Sequence, residues 1–164
     1  MSTYTVPAST RIGHVHLKVS DLERSLAFYQ EILGFEITQR YGDGAVFLSA
    51  GGYHHHIGLN TWQSKGEGPA PARGVGLYHT AILYAERIEL AVVVKRLLDN
   101  EYPLIGAANH GVSEAIYLND PDGNGVELCW DRPKKDWPFD GEGNLQMITE
   151  PLNIQGLLLL TLET

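Results

Sequence analysis

The sequence predicts an α+β fold: two paired βαβββ modules forming a curved sheet around a trough. Three observations carry that expectation: two near-copies of one pattern, a matching histidine at the head of each, and a stretch rich in glycine, proline and alanine between them. Laying His14 in RIGHVHLKVSDL on His79 in GLYHTAILYAER gives a period of 65 residues. A unit of one sheet and one helix leaves an apolar face open and needs its partner to cover it. The chain therefore reads as one domain over 1–164, with module one at 11–62, a linker at 63–75, module two at 76–131 and a C-terminal tail at 132–164.

In module one, Val15, Leu17 and Val19 alternate as in a half-buried strand. Ser20-Asp-Leu-Glu23 is a capping-box signature, with the serine as the expected cap. Leu22, Leu26, Tyr29, Ile32 and Leu33 then recur at helical spacing, and Gly34 ends the helix. Three strands follow at Phe35–Thr38, Ala45–Ser49 and His54–Asn60, separated by Tyr41-Gly-Asp-Gly and Gly51-Gly52. Module two repeats the order: a strand through Thr80, Ile82 and Tyr84, a helix from Ile88 to Leu98, and strands at Leu104–Ala107, Ser113–Leu118 and Gly125–Trp130.

Composition narrows the function classes. The 164 residues are 43% hydrophobic and 20% charged, within the range of a compact domain. A net charge of −8 with RPKK at 132–135 as the only basic knot argues against nucleic acid, whose binding draws on clustered lysine and arginine. RPKK itself reads as a solvated patch. No run approaches the roughly 20 apolar residues of a membrane helix, and MSTYTVPAST lacks the features of a secretion signal, so no membrane partner and a cytoplasmic protein are expected. The single Cys129, between Leu128 and Trp130, reads as a small core-facing group.

The chemistry-bearing residues are histidines. His14 and His16 share one face of the first strand, His79 and Ala81 the equivalent face in module two, and only His14 and His79 superpose. Curling the sheets together would bring these two imidazoles to Glu127 on the final strand. A buried glutamate between Val126 and Leu128 is costly without a partner. Two imidazoles and a carboxylate make a divalent-metal set suited to Fe(II), with Mn(II), Zn(II) or Ni(II) as alternatives, and leave positions open for other ligands. Asn60 and Trp62 read as core packing or pocket wall.

At these residues the chain resembles the vicinal-oxygen-chelate superfamily of glyoxalases, bleomycin-resistance proteins and extradiol dioxygenases. The likeness covers about residues 11–157 and rests on GHVHLKVSDLERSLAFYQEILGF, GLYHTAIL and NDPDGNGVEL. It implies metal ligands at His14, His79 and Glu127. Within the family it is closest to the first domain of catechol 2,3-dioxygenase-like proteins, down to the tail. Tyr117 stands ten residues before Glu127 as the extradiol branch requires, His110-Gly-Val-Ser113 resembles its second-histidine segment, and His55-His-Ile-Gly58 its first. The resemblance thus implies catalytic roles for His55, His110 and Tyr117, acting on a small aromatic diol and O2. Strand alternation alone leaves open whether His55 or the pair His54 and His56 faces the trough. The resemblance also leaves a glyoxalase-like isomerase and a drug-sequestering protein as alternatives. A homo-oligomer is expected, with the apolar Leu157–Leu162 end as one contact surface.

Overall fold

The computed structural model describes residues 3–71 and 73–162. Module one comprises β1 (Val15–Lys18), α1 (Leu22–Leu26), β2 (Glu36–Tyr41), β3 (Ala45–Ser49) and β4 (Ile57–Asn60). Module two comprises β5 (Thr80–Tyr84), α2 (Arg87–Asp99), β6 (Gly106–Asn109), β7 (Ser113–Asn119) and β8 (Gly125–Asp131). The tail adds β9 (Glu150–Pro151) and α3 (Ile154–Leu158). The sheets run β1-β4-β3-β2 and β5-β8-β7-β6-β9, so among the described residues β1 and β5, the strands that follow His14 and His79, each end a sheet with one edge unpaired. In both modules the first strand pairs parallel to the last and the other neighbours are antiparallel. This is the α+β class read from the sequence.

Several local expectations change. Asp21, not Ser20, caps α1, its carboxylate accepting from the Arg24 amide at 2.8 Å. The Ser20 amide instead donates to Asp122 of module two, and Glu23 pairs with Arg40. The helix then widens into a π-helical turn over Ala27–Ile32, closed by Leu33 N–H donating to Phe28 O. Phe28 and Tyr29 of this turn both enter the interior. In module two the cap is Glu86, in a reciprocal box with Glu89. The expected strand at His54–Asn60 begins only at Ile57, and that at Leu104–Ala107 is displaced to Gly106–Asn109.

One apolar interior runs through both modules. Leu17, Val19, Leu26 and Phe28 share it with Leu90, Val94, Ile116 and Leu128. Phe28 stacks on Tyr102 across the module boundary at 4.8 Å between ring centres. Tyr29 donates its hydroxyl to buried Asp120 at 3.0 Å. Tyr29→Phe leaves that carboxylate short of one donor and is expected to lower unfolding free energy by about 1.5–3 kcal/mol, read from chemical denaturation.

The tail is structural. Leu157 is fully buried and Leu152, Ile154, Leu158 and Leu160 pack on the core, so only part of the 157–162 end, notably Leu159 and Leu162, is exposed. Glu114 of β7 is buried between Arg87 and Arg132, each at 2.7 Å. Two guanidinium partners offset the cost of burying it. Arg132 therefore belongs to this buried knot and not to a solvated basic patch. Among the described residues no helix is long and apolar enough to cross a membrane.

Candidate functional site

Alternation along the strands sets the two faces of each sheet. In β8, Val126 and Leu128 enter the core, which turns Glu127 to the opposite, open face. The same rule puts Tyr117 on the open face of β7, opposite Glu127 in register, between core-facing Ile116 and Leu118. His79 immediately precedes β5, whose Ala81 pairs with Glu127. Gly125 makes this approach possible: a Cβ there would lie 2.1 Å from the Tyr78 carbonyl oxygen, so only glycine lets β8 begin so close to the backbone that carries His79.

The result is a hydrogen-bonded row. His79 Nε2 lies 2.8 Å from Glu127 Oε2, the Tyr117 hydroxyl lies 3.2 Å from Glu127 Oε1, and His110 Nε2 lies 2.7 Å from the same hydroxyl. Burial and then the charge of Glu127 push the Tyr117 phenol up to about 12, which keeps its proton in place at neutral pH.

Module one presents a second group. His14 immediately precedes β1, and its ring meets His55 at 4.4 Å between centres. His55 also meets Phe47, and His16 sits between Phe47 and Trp62. Trp62 is thus a half-exposed wall against His16 and not core packing; buried Asn60 accepts from its amide at 3.3 Å. The three consecutive histidines lie in the loop before β4 and diverge. His55 faces His14, His56 bonds Ser49 at 3.1 Å, and His54 bonds His55 at 2.8 Å. Partial burial and then the neighbouring His14 lower the proton affinity of His55.

Within one chain, then, His79, Glu127, Tyr117 and His110 stand together, and His14 and His55 stand together apart from them. Among the described residues no group of three or more His, Cys, Asp or Glu side chains is placed to hold a metal ion. The donor chemistry suits a divalent metal, one imidazole and one carboxylate already converging, and a further imidazole would complete the set. A cavity of about 700 Å³ follows the unpaired edges of β1 and β5, lined by Ile12, His14, Ile57, Ile82, Leu83 and Val92 among others.

Two features escaped the sequence. The tail brings Ile148 and Thr149 against His110, with Ile148 O at 3.0 Å and Thr149 Oγ1 at 3.3 Å from Nδ1. No local pattern marks that contact. Cys129 is buried as a small apolar group would be, yet it shares the open face with Glu127 instead of facing the core. Burial and then the charges of Glu127 and Asp131 raise its thiol to about 12. A raised value makes thiolate scarce below that pH, so Cys129 should resist a disulfide reagent at pH 8 in the folded protein and react fully once denatured.

Comparison with known proteins gives consistent results. Residues 11–128 match the family described as the Glyoxalase/Bleomycin resistance protein/Dioxygenase superfamily. A catechol-2,3-dioxygenase of Bacillus subtilis (strain 168) is 41% identical over 155 residues, which are 94% of this chain and 53% of that protein. The chain thus spans about half the length of that relative. A lactoylglutathione lyase of Neisseria meningitidis is 30% identical over 126 residues, covering 72% of this chain and 88% of that one. Among solved structures, a glyoxalase/dioxygenase from Nostoc punctiforme superposes with a TM-score of 0.64 at 18% identity, covering 80% of this chain and all of that one, a likeness of fold alone.

Proposed function

The chain belongs to the glyoxalase/bleomycin resistance protein/dioxygenase superfamily, and from that premise we propose that it is a metal-dependent extradiol ring-cleaving dioxygenase acting on a catechol-type vicinal diol with O2. The observation that carries this reading is the Tyr117 hydroxyl lying between His110 Nε2 and Glu127 Oε1. A diol needs a neutral hydrogen-bond partner and a proton acceptor beside the metal ligands, and this row supplies both. The 41% identity to a catechol-2,3-dioxygenase supports the same branch.

His79 and Glu127 would hold the metal, with His14 as the third ligand. Bound there, a divalent ion, foremost Fe(II), would orient the two diol oxygens and O2 and stabilise developing negative charge. Tyr117 keeps its proton and hydrogen-bonds a diol oxygen. His110 takes a hydroxyl proton at Nε2. His55, of lowered proton affinity, readily gives up a proton once charged and donates it on the oxygen side.

Because His14 and His55 stand apart from the other four residues, a second copy is proposed to supply them. The unpaired edges of β1 and β5 carry the two halves, and the cavity between those edges exposes Ile12 and Leu83, apolar surface that a partner edge would cover.

Metal analysis of protein purified without chelator, followed by oxygen uptake with catechol, tests the reading. Iron with a coloured ring-cleavage product supports it. Nickel or zinc with turnover of the methylglyoxal–thiol adduct replaces it with a lactoylglutathione lyase-like isomerisation. Tight binding of a small molecule without metal or turnover replaces it with sequestration.

A further inference from the structure

The tail reaches the candidate site through backbone atoms. β9 lies antiparallel to β6, pairing Ala108 with Pro151 and Asn109 with Glu150, and so lays residues 148 and 149 beside the turn that carries His110. Ile148 then grips His110 twice: its N–H donates to the His110 carbonyl at 3.1 Å, and its carbonyl lies 3.0 Å from His110 Nδ1. The close fit needs Gly111, whose φ is +76° and where a Cβ would lie 2.9 Å from Pro138 Cγ and 3.2 Å from Ile148 Cγ1.

We propose that the Ile148 carbonyl, with the Thr149 hydroxyl beside it, is a positioning device that holds His110 as the Nδ1–H tautomer and so turns Nε2 toward the site as a proton acceptor. The inference rests on the reading of His110 as the residue that handles the substrate proton. Its logic is a hydrogen count. A carbonyl oxygen only accepts, so the nitrogen that faces it must carry the hydrogen. A neutral imidazole has one N–H, and with that hydrogen on Nδ1 the lone pair is left on Nε2, 2.7 Å from the Tyr117 hydroxyl. Tyr117 has one proton and two claimants, and the nearer is His110 Nε2.

The consequence is a base set before substrate arrives. When a diol hydroxyl reaches Nε2, its O–H bond breaks and an N–H bond forms there. The imidazolium that results still donates through Nδ1 to Ile148 O, which stabilises the new positive charge. With the other tautomer Nε2 would carry hydrogen and could not accept, and Nδ1 would put its lone pair against a carbonyl oxygen.

Long-range proton–nitrogen correlation spectra of the full chain labelled with ¹⁵N, loaded with diamagnetic Zn(II), test this at a pH above the imidazole range. The His110 signals are identified by their loss in His110→Gln. The expected pattern is a protonated-type shift at Nδ1 and an unprotonated-type shift at Nε2; the reverse overturns the proposal. Gly111→Ala, whose added Cβ presses on Pro138 and Ile148, should loosen the carbonyl contact, introduce the other tautomer and lower kcat about tenfold with KM unchanged, whereas Thr149→Val, which leaves the Ile148 carbonyl in place, should keep the Nδ1–H pattern. A fall in kcat with the tautomer signals unmoved also overturns it, because that is what a merely structural residue would give. Lack of turnover on every diol sinks the functional reading instead, and leaves the tautomer result to be judged by the spectra.

Discussion

His79→Ala and Glu127→Gln should each strip the protein of metal and lower diol turnover by more than the 10–100-fold that loss of a supporting partner costs, whereas Tyr117→Phe should keep the metal and lose about a hundredfold in kcat. The contrast follows from geometry. His79 and Glu127 bring a ring nitrogen and a carboxylate oxygen within 2.8 Å of each other, and of the three proposed ligands they are the two that converge inside one chain. The Tyr117 hydroxyl, kept protonated by burial and by the charge of Glu127, lies beside that carboxylate and is placed to meet the substrate. Removing its hydroxyl deletes a hydrogen bond and the link to His110 without touching a ligand. Elemental analysis and steady-state oxygen uptake on the three variants check the ordering. Unchanged metal content in His79→Ala would remove the metal assignment.

Mixing two inactive variants should recover activity. If His14 of one copy meets His79 and Glu127 of another, then His14→Ala and His79→Ala are each dead, but a refolded one-to-one mixture forms hybrids in which both changes fall in one site and leave the other intact. Half the dimers are hybrids and half their sites are whole, so about one quarter of wild-type activity should return. A pair of modules that completed its site within one chain would regain nothing. The readout is oxygen uptake before and after mixing, with metal content rising in parallel. A mixture as dead as its components, with both variants folded, would refute the second-copy arrangement.

The residues that follow strand periodicity were legible in the sequence. Alternation at Val126-Glu127-Leu128 and at Ile116-Tyr117-Leu118 decides which side chains leave the core, and it puts Glu127 and Tyr117 on one face of adjacent strands. The repeat found the equivalent entry points of His14 and His79. What depends on chain direction in loops was not legible. His54, His55 and His56 precede the strand and so escape the alternation rule, and only their contacts with Tyr53, Ser49 and His14 separate them. The Asp21 cap differs from the expected Ser20 because Ser20 is drawn to Asp122, more than a hundred residues away in sequence, a pull that no local pattern carries. The tail's grip on His110 was hidden for the same reason: it is made by backbone atoms, which leave no mark in residue type.

The shared interior has a consequence for how such a protein can diversify. Phe28 against Tyr102 and Tyr29 against Asp120 interlock the two repeats from within, so neither half is a cassette that can be exchanged alone. The outward faces of the sheets carry no such constraint. Changes in what the molecule recognises can accumulate there, residue by residue, while the scaffold beneath stays as it is.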